Sequence, residues 1–143
     1  TETWLKTDST TMIDELCPRG FSFYHVPRAN RRGGGVGLIF NKSLKILKQE
    51  VERFRSFEVM EVLLYSSSSS LPIRILILYR LHHNKKKNNL TADIFFQDFS
   101  QLLERLISSS GKLLILGDFN FHIDKPHVDY QAAKFLDLLN SHN

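Results

Sequence analysis

Cysteine is almost missing from this chain: Cys17 is the only one in 143 residues, so neither an internal disulfide nor a multi-cysteine zinc site can form. Long apolar runs are missing too. The two clearest, Ile75 to Tyr79 (with Ile73 just before) and Leu113 to Leu116, fall far short of the roughly 20 residues that cross a bilayer. No large excess of one charge exists either. Nineteen Lys and Arg against fifteen Asp and Glu leave +4, with a pI near 9.3, which is compatible with a nucleic-acid partner and too modest to establish one. The opening stretch, Thr1 to Lys6, lacks the basic flank and apolar segment of a signal peptide, and a start on threonine reads as a processed chain or a fragment. What remains, 42% apolar and 24% charged residues, describes one soluble globular domain with a single core.

The local patterns are those of a mixed α/β chain. Phe21-Ser22-Phe23-Tyr24 sets aromatics on alternate positions, and the glycines of Gly33 to Gly37 make a flexible turn before a buried strand over Val36 to Phe40. Phe57 to Tyr65 reads as a second strand, and the serines Ser66 to Ser70 lead through a hairpin into Ile73 to Tyr79. Phe95, Phe99, Leu102, Leu103 and Leu106 follow at i, i+4, i+7, i+8 and i+11, the pattern of an amphipathic helix, with Thr91 as its cap and Asp93 in its first turn. Leu113 to Leu116 reads as a buried strand, and a second helix capped near Asp129 runs through Leu139. Strand, helix and strand, with the strands parallel, bring Tyr79-Arg80 and Gly117-Asp118-Phe119-Asn120 to one sheet edge, where ligand sites of such sheets lie.

Gly117-Asp118-Phe119-Asn120 is the sharpest local signal. A tight glycine turn there would present a carboxylate that can bind a hard cation or take a proton from water, and a carboxamide that can donate to phosphate; an Asx-turn explains the same residues. Glu2 adds a carboxylate, and Tyr79 with Arg80 a phenol and a cation suited to phosphate, although a solvated glutamate and a strand-end tyrosine are the plainer readings. Gly33 to Gly37 lacks the Gly-Lys-Ser/Thr of a phosphate loop. His122-x-Asp124-x-x-His127 has ligand-type residues in a proline-containing loop. Lys85, Lys86 and Lys87, with Arg28, Arg31 and Arg32, could touch backbone phosphates or simply be solvated.

Four stretches in order carry a resemblance: Thr1-Glu2-Thr3-Trp4-Leu5, Gly33 to Phe40, Ile77-Leu78-Tyr79-Arg80 and Leu116-Gly117-Asp118-Phe119-Asn120. The sequence resembles the endonuclease/exonuclease/phosphatase superfamily, most nearly the endonuclease domain of LINE-type (non-LTR) retrotransposons, and the segment Ala133 to His142 looks like the helix that follows the Asp-Phe-Asn motif there. The resemblance implies a DNase-I-like two-sheet α/β sandwich with flanking helices. It implies hydrolysis of DNA phosphodiesters with Mg²⁺ or Mn²⁺, target-site nicking that leaves a 3′-hydroxyl to prime reverse transcription, and a reverse-transcriptase domain on the same polypeptide. A nuclear location and the absence of a membrane partner follow from it. Position by position, Glu2 matches the metal-binding glutamate, Tyr79 the tyrosine at the scissile phosphate, Asp118 the aspartate that activates or orients water, and Asn120 the asparagine beside it; Arg80, Arg31, Arg32, Lys85, Lys86 and Lys87 are candidate DNA phosphate contacts.

The departures are specific. Leu81-His82-His83 stands where the family has proline after Tyr-Arg, and neither the strand asparagine before the glutamate nor the late Ser-Asp-His motif is present. Residues 1–143 thus read as the middle part of one such domain, incomplete and with little or no nicking of its own. A non-catalytic remnant with weak nucleic-acid binding, or a phosphatase or phosphodiesterase of the same fold, are the alternatives.

Overall fold

A computed structural model describes residues 1–6, 12, 13, 15, 17–28, 33–81 and 91–141. The chain is mixed α/β, and its elements of known bounds among the described residues are β1 (Phe21–Val26), β2 (Val36–Asn41), β3 (Lys45–Gln49), β4 (Phe57–Tyr65), β5 (Ile73–Arg80), α1 (Ala92–Ile107), β6 (Lys112–Asp118) and α2 (Tyr130–Asn140). It divides into two compact units, one made of residues 1–53, 58–79 and 111–118, the other of 54–57, 80–110 and 119–143.

The first unit holds the sheets. β1 and β2 pair antiparallel from Phe21↔Asn41 to Val26↔Val36. The four-stranded sheet runs β3-β4-β5-β6, with β3 and β4 antiparallel and β5 and β6 parallel from Ile73↔Lys112 to Tyr79↔Asp118. Its core is branched and sulfur-containing side chains, Val36, Met60, Val62, Leu76 and Leu78, all at or near zero exposure. One charge lies among them: Glu61, 2% exposed, is neutralised by Arg74 of β5 through a side-chain ion pair, as a buried carboxylate must be.

The second unit is a phenylalanine cluster. Phe95 and Phe99 of α1 stack with centroids 5.4 Å apart, Phe57 meets both edge-on, and Phe119 and Phe121 of the segment after β6 join Phe135 of α2 at 4.7 and 5.5 Å. Phe95, Phe99 and Phe135 are at most 2% exposed, and rings in these offset and edge-on arrangements add to the area they bury. Thr91 caps α1 by accepting from the Ile94 N–H, and Asp129 caps α2 by accepting from Gln131 and Ala132. These backbone bonds, Ala132's foremost and His122's next, hold the Asp129 carboxyl below its usual range.

Both helices, their caps and the parallel pairing of β5 with β6 agree with the sequence patterns. Three features do not. Leu113 to Leu116 is a strand but not a buried one: Leu113, Leu114 and Leu116 are 41 to 44% exposed, because β6 ends the strand order and has one neighbour rather than two. Gly117 and Asp118 are the last residues of β6 rather than a turn after it. Lys45–Gln49 is a strand that its composition conceals, since only Ile46 of the five is buried; pairing with β4 defines it. The basic stretch 82–89 lies outside the described residues.

Candidate phosphodiester site

The first unit brings three of the expected residues together at the end of the β5–β6 pair. Tyr79 and Asp118 are partners in the parallel register. The Tyr79 hydroxyl donates to Glu2 Oε1, tying the N-terminal segment to the strand end across 77 residues.

Glu2 reaches that position because residues 1–6 lie along the glycine turn. The Thr3 N–H donates to Gly35 O at 3.2 Å and the Trp4 N–H to Gly34 O at 2.8 Å. The glycines make room for this approach. At Gly35 a Cβ would stand 2.5 Å from the Thr3 hydroxyl, and Gly33, Gly34 and Gly35 all have positive φ, between 74° and 86°. The turn that reads as flexible in the sequence is therefore the dock of the N-terminal segment. Glu2 and Trp4 carry φ values of +54° and +57°, which are strained for residues with side chains of this size.

A second layer supports Tyr79. The Arg28 guanidinium lies 5.7 Å from the centre of its ring and pairs with Glu58 of β4, whose other oxygen accepts from the Gly35 N–H at 2.6 Å. Arg28 is thus engaged within the protein, beside the site. Glu58 escapes the sequence reading; its signal is that it is one of two carboxylates, with Glu61, set among the apolar residues of Phe57 to Tyr65.

Tyr79 is buried, 6% exposed. Burial first, then the hydrogen bond and charge of Glu2, push its phenol up to about 12, with Asp118 adding in the same direction and Arg28 opposing. Tyr79 is therefore a neutral hydroxyl at any physiological pH. Both carboxylates act on it, and both are exposed to solvent. No group of three His, Cys, Asp or Glu side chains suited to a metal ion occurs among the described residues, so His122, Asp124 and His127 do not form one. Two exposed carboxylates are nonetheless the donor set that suits a hard cation which keeps most of its water and takes the remaining ligands from substrate phosphate.

In the second unit, Asn120 and Arg80 occupy each other. Asn120, at φ +52°, donates its side-chain amide to Arg80 O at 2.8 Å, and Arg80 Nη1 donates to Phe119 O and Asn120 O at 3.2 and 3.0 Å. The guanidinium stands 3.9 Å from the centre of the Phe121 ring and 5.3 Å from that of Phe95. Arg80 is 7% exposed. Its cation, expected on a DNA phosphate, is held inside the protein by carbonyls and rings, and it shapes the segment that carries Asn120. Burial lowers its pKa, partly offset by Asp129. Arg31, Arg32, Lys85, Lys86 and Lys87 lie outside the described residues.

In comparison with known families, the sequence model described as the Endonuclease/Exonuclease/phosphatase family matches residues 1–138. No curated protein and no solved structure matches the chain.

Proposed function

Because the chain belongs to the endonuclease/exonuclease/phosphatase family, a family of hydrolases, we propose that its site hydrolyses the phosphodiester bonds of DNA, in the manner of a LINE-type retrotransposon endonuclease that nicks a target to prime reverse transcription. The observation that carries the reading is the joining of Glu2, Tyr79 and Asp118 at one strand end: the Tyr79 hydroxyl on Glu2, and Asp118 opposite Tyr79 in register.

Each residue has a defined task. Glu2 and Asp118 would hold a divalent cation such as Mg²⁺ or Mn²⁺, which when bound polarises the phosphate and stabilises the departing oxygen. Tyr79, a neutral phenol, has one proton to donate, and placing it on a phosphate oxygen means withdrawing it from Glu2. Asp118 accepts a proton from the attacking water; the water oxygen bonds to phosphorus, the P–O3′ bond breaks, the departing oxygen takes a proton from solvent water to become the 3′-hydroxyl, and Asp118, exposed to solvent, returns its proton there. For Asn120 the role rests on the family resemblance alone, which makes it the asparagine that orients the water; its side-chain amide donates to Arg80 O.

The test assays the 143-residue chain on supercoiled plasmid, beside a longer protein wherever the open reading frame extends past either end. We expect Mg²⁺-dependent nicking by the longer protein, abolished by EDTA and by Asp118→Ala, with a Ser-Asp-His motif downstream. Phosphate release from inositol phosphates with intact plasmid would instead assign the site to the phosphatase branch.

A further inference from the structure

We propose that Trp4 is a stacking platform for an unstacked nucleobase of the DNA strand that the site cuts. The inference rests on the DNA-directed reading of the site and adds a base contact to it.

Trp4 is 66% exposed although it carries the largest apolar ring in the chain. An exposed apolar residue alone needs no explanation, but this one is held in place. Its N–H donates to Gly34 O at 2.8 Å, and its six-membered ring lies against Gly33, where a Cβ would stand 3.3 to 3.5 Å from Cη2, Cζ2 and Cζ3. Its backbone sits at φ +57°, a conformation that L residues avoid. A strained backbone that keeps a large ring in water, with the ring braced on a glycine, is an arrangement that relief of strain and burial of apolar surface would both undo. A ligand that covers the free surface gives it a use.

The ligand chemistry follows from the neighbours. Glu2, two residues earlier and also strained, accepts the Tyr79 hydroxyl at the proposed phosphate site. A flat, apolar, uncharged group joined to that phosphate by a short linker is a nucleobase. Every base offers a π-face, so stacking on an indole requires no particular hydrogen-bond pattern.

Trp4 is the only tryptophan, so its fluorescence reports on this position alone. Titrate the 143-residue protein, in EDTA, with a single-stranded oligodeoxynucleotide and with an abasic strand of equal length. We expect saturable quenching by the first, and weaker binding with no quenching by the second. Anisotropy of a labelled strand should show Trp4→Ala weakening binding about tenfold and Trp4→Phe retaining most of it, with unchanged melting temperatures. Equal quenching by the abasic strand, or equal binding by Trp4→Ala, overturns the proposal. Plasmid nicking tests the hydrolase reading separately: base-dependent quenching without nicking in the longer protein sustains the platform and removes the nuclease.

Discussion

Arg80 and Asn120 grip each other's backbone: the Asn120 amide donates to the Arg80 carbonyl at 2.8 Å, and the Arg80 guanidinium returns a bond to the Asn120 carbonyl at 3.0 Å. Forty residues separate them in sequence. The consequence is that a residue with the appearance of a phosphate-binding cation serves instead to shape the loop after β6. Removing its side chain strips two carbonyls of their donor and two phenylalanine rings of a cation. Arg80→Ala should cost about 2 to 4 kcal/mol, and Arg80→Lys should recover only part, since an ammonium can reach the two carbonyls but has no planar guanidinium to lie over the Phe121 ring. Urea denaturation of the two variants measures both.

Tyr79 should titrate well above the ordinary value for a tyrosine. Its folded pKa, about 12, exceeds the ordinary 10, so the neutral phenol is favoured by folding. The associated stability, about 2 to 3 kcal/mol, is fully present below pH 10 and is lost as pH rises from 10 to 12. Glu2→Gln should lower the midpoint while leaving it above 10, because burial is the largest cause and persists. Ultraviolet titration against Tyr79→Phe isolates the signal; a midpoint unaffected by Glu2→Gln would break the link between these two residues.

Gly117→Ala should be costly although the residue is exposed. A Cβ there would overlap the carbonyl of Leu78, its partner in the parallel register, and backbone cannot swing aside as a side chain can. A loss of about 1 to 3 kcal/mol or more is expected, measured by thermal unfolding, together with loss of any activity that needs Asp118, the next residue.

Asp98 of α1 accepts from the Arg55 N–H, the Ser56 N–H and the Ser56 hydroxyl, at 3.2, 3.1 and 2.7 Å. Ser56 is 2% exposed, so Asp98→Ala leaves buried donors without their acceptor and should cost about 1 to 3 kcal/mol. Asp98→Asn keeps one acceptor oxygen and should cost less. Equal denaturation midpoints for the two variants would contradict this account.

The aromatic cluster should dominate the stability of the second unit. Phe99→Ala should cost about 3 to 5 kcal/mol, whereas Ile107→Ser on the same helix, at a position 53% exposed, should stay within about 0.5 kcal/mol of the parent. Chemical denaturation of the pair makes the comparison.

Local chemistry alone determined much of this protein. Helix α1 is legible because Phe95, Phe99, Leu102, Leu103 and Leu106 repeat at helical spacing behind a Thr91 cap, and α2 because Asp129 precedes its own apolar stripe; periodicity and caps are properties of a few adjacent residues. The same holds for the four motifs that place the chain in its family. Burial and pairing are not local. Leu113 to Leu116 has the composition of a core strand, yet only the strand order decides that β6 has a single neighbour and exposes its leucines. Arg80 has the composition of a surface cation, yet carbonyls and rings more than ten residues away draw it inside. Tertiary structure alone joins Glu2 to Tyr79 and recruits Glu58 to anchor Arg28 and the glycine turn, since hydrogen bonds across 77 and 30 residues depend on where the chain returns, which no short stretch of sequence encodes.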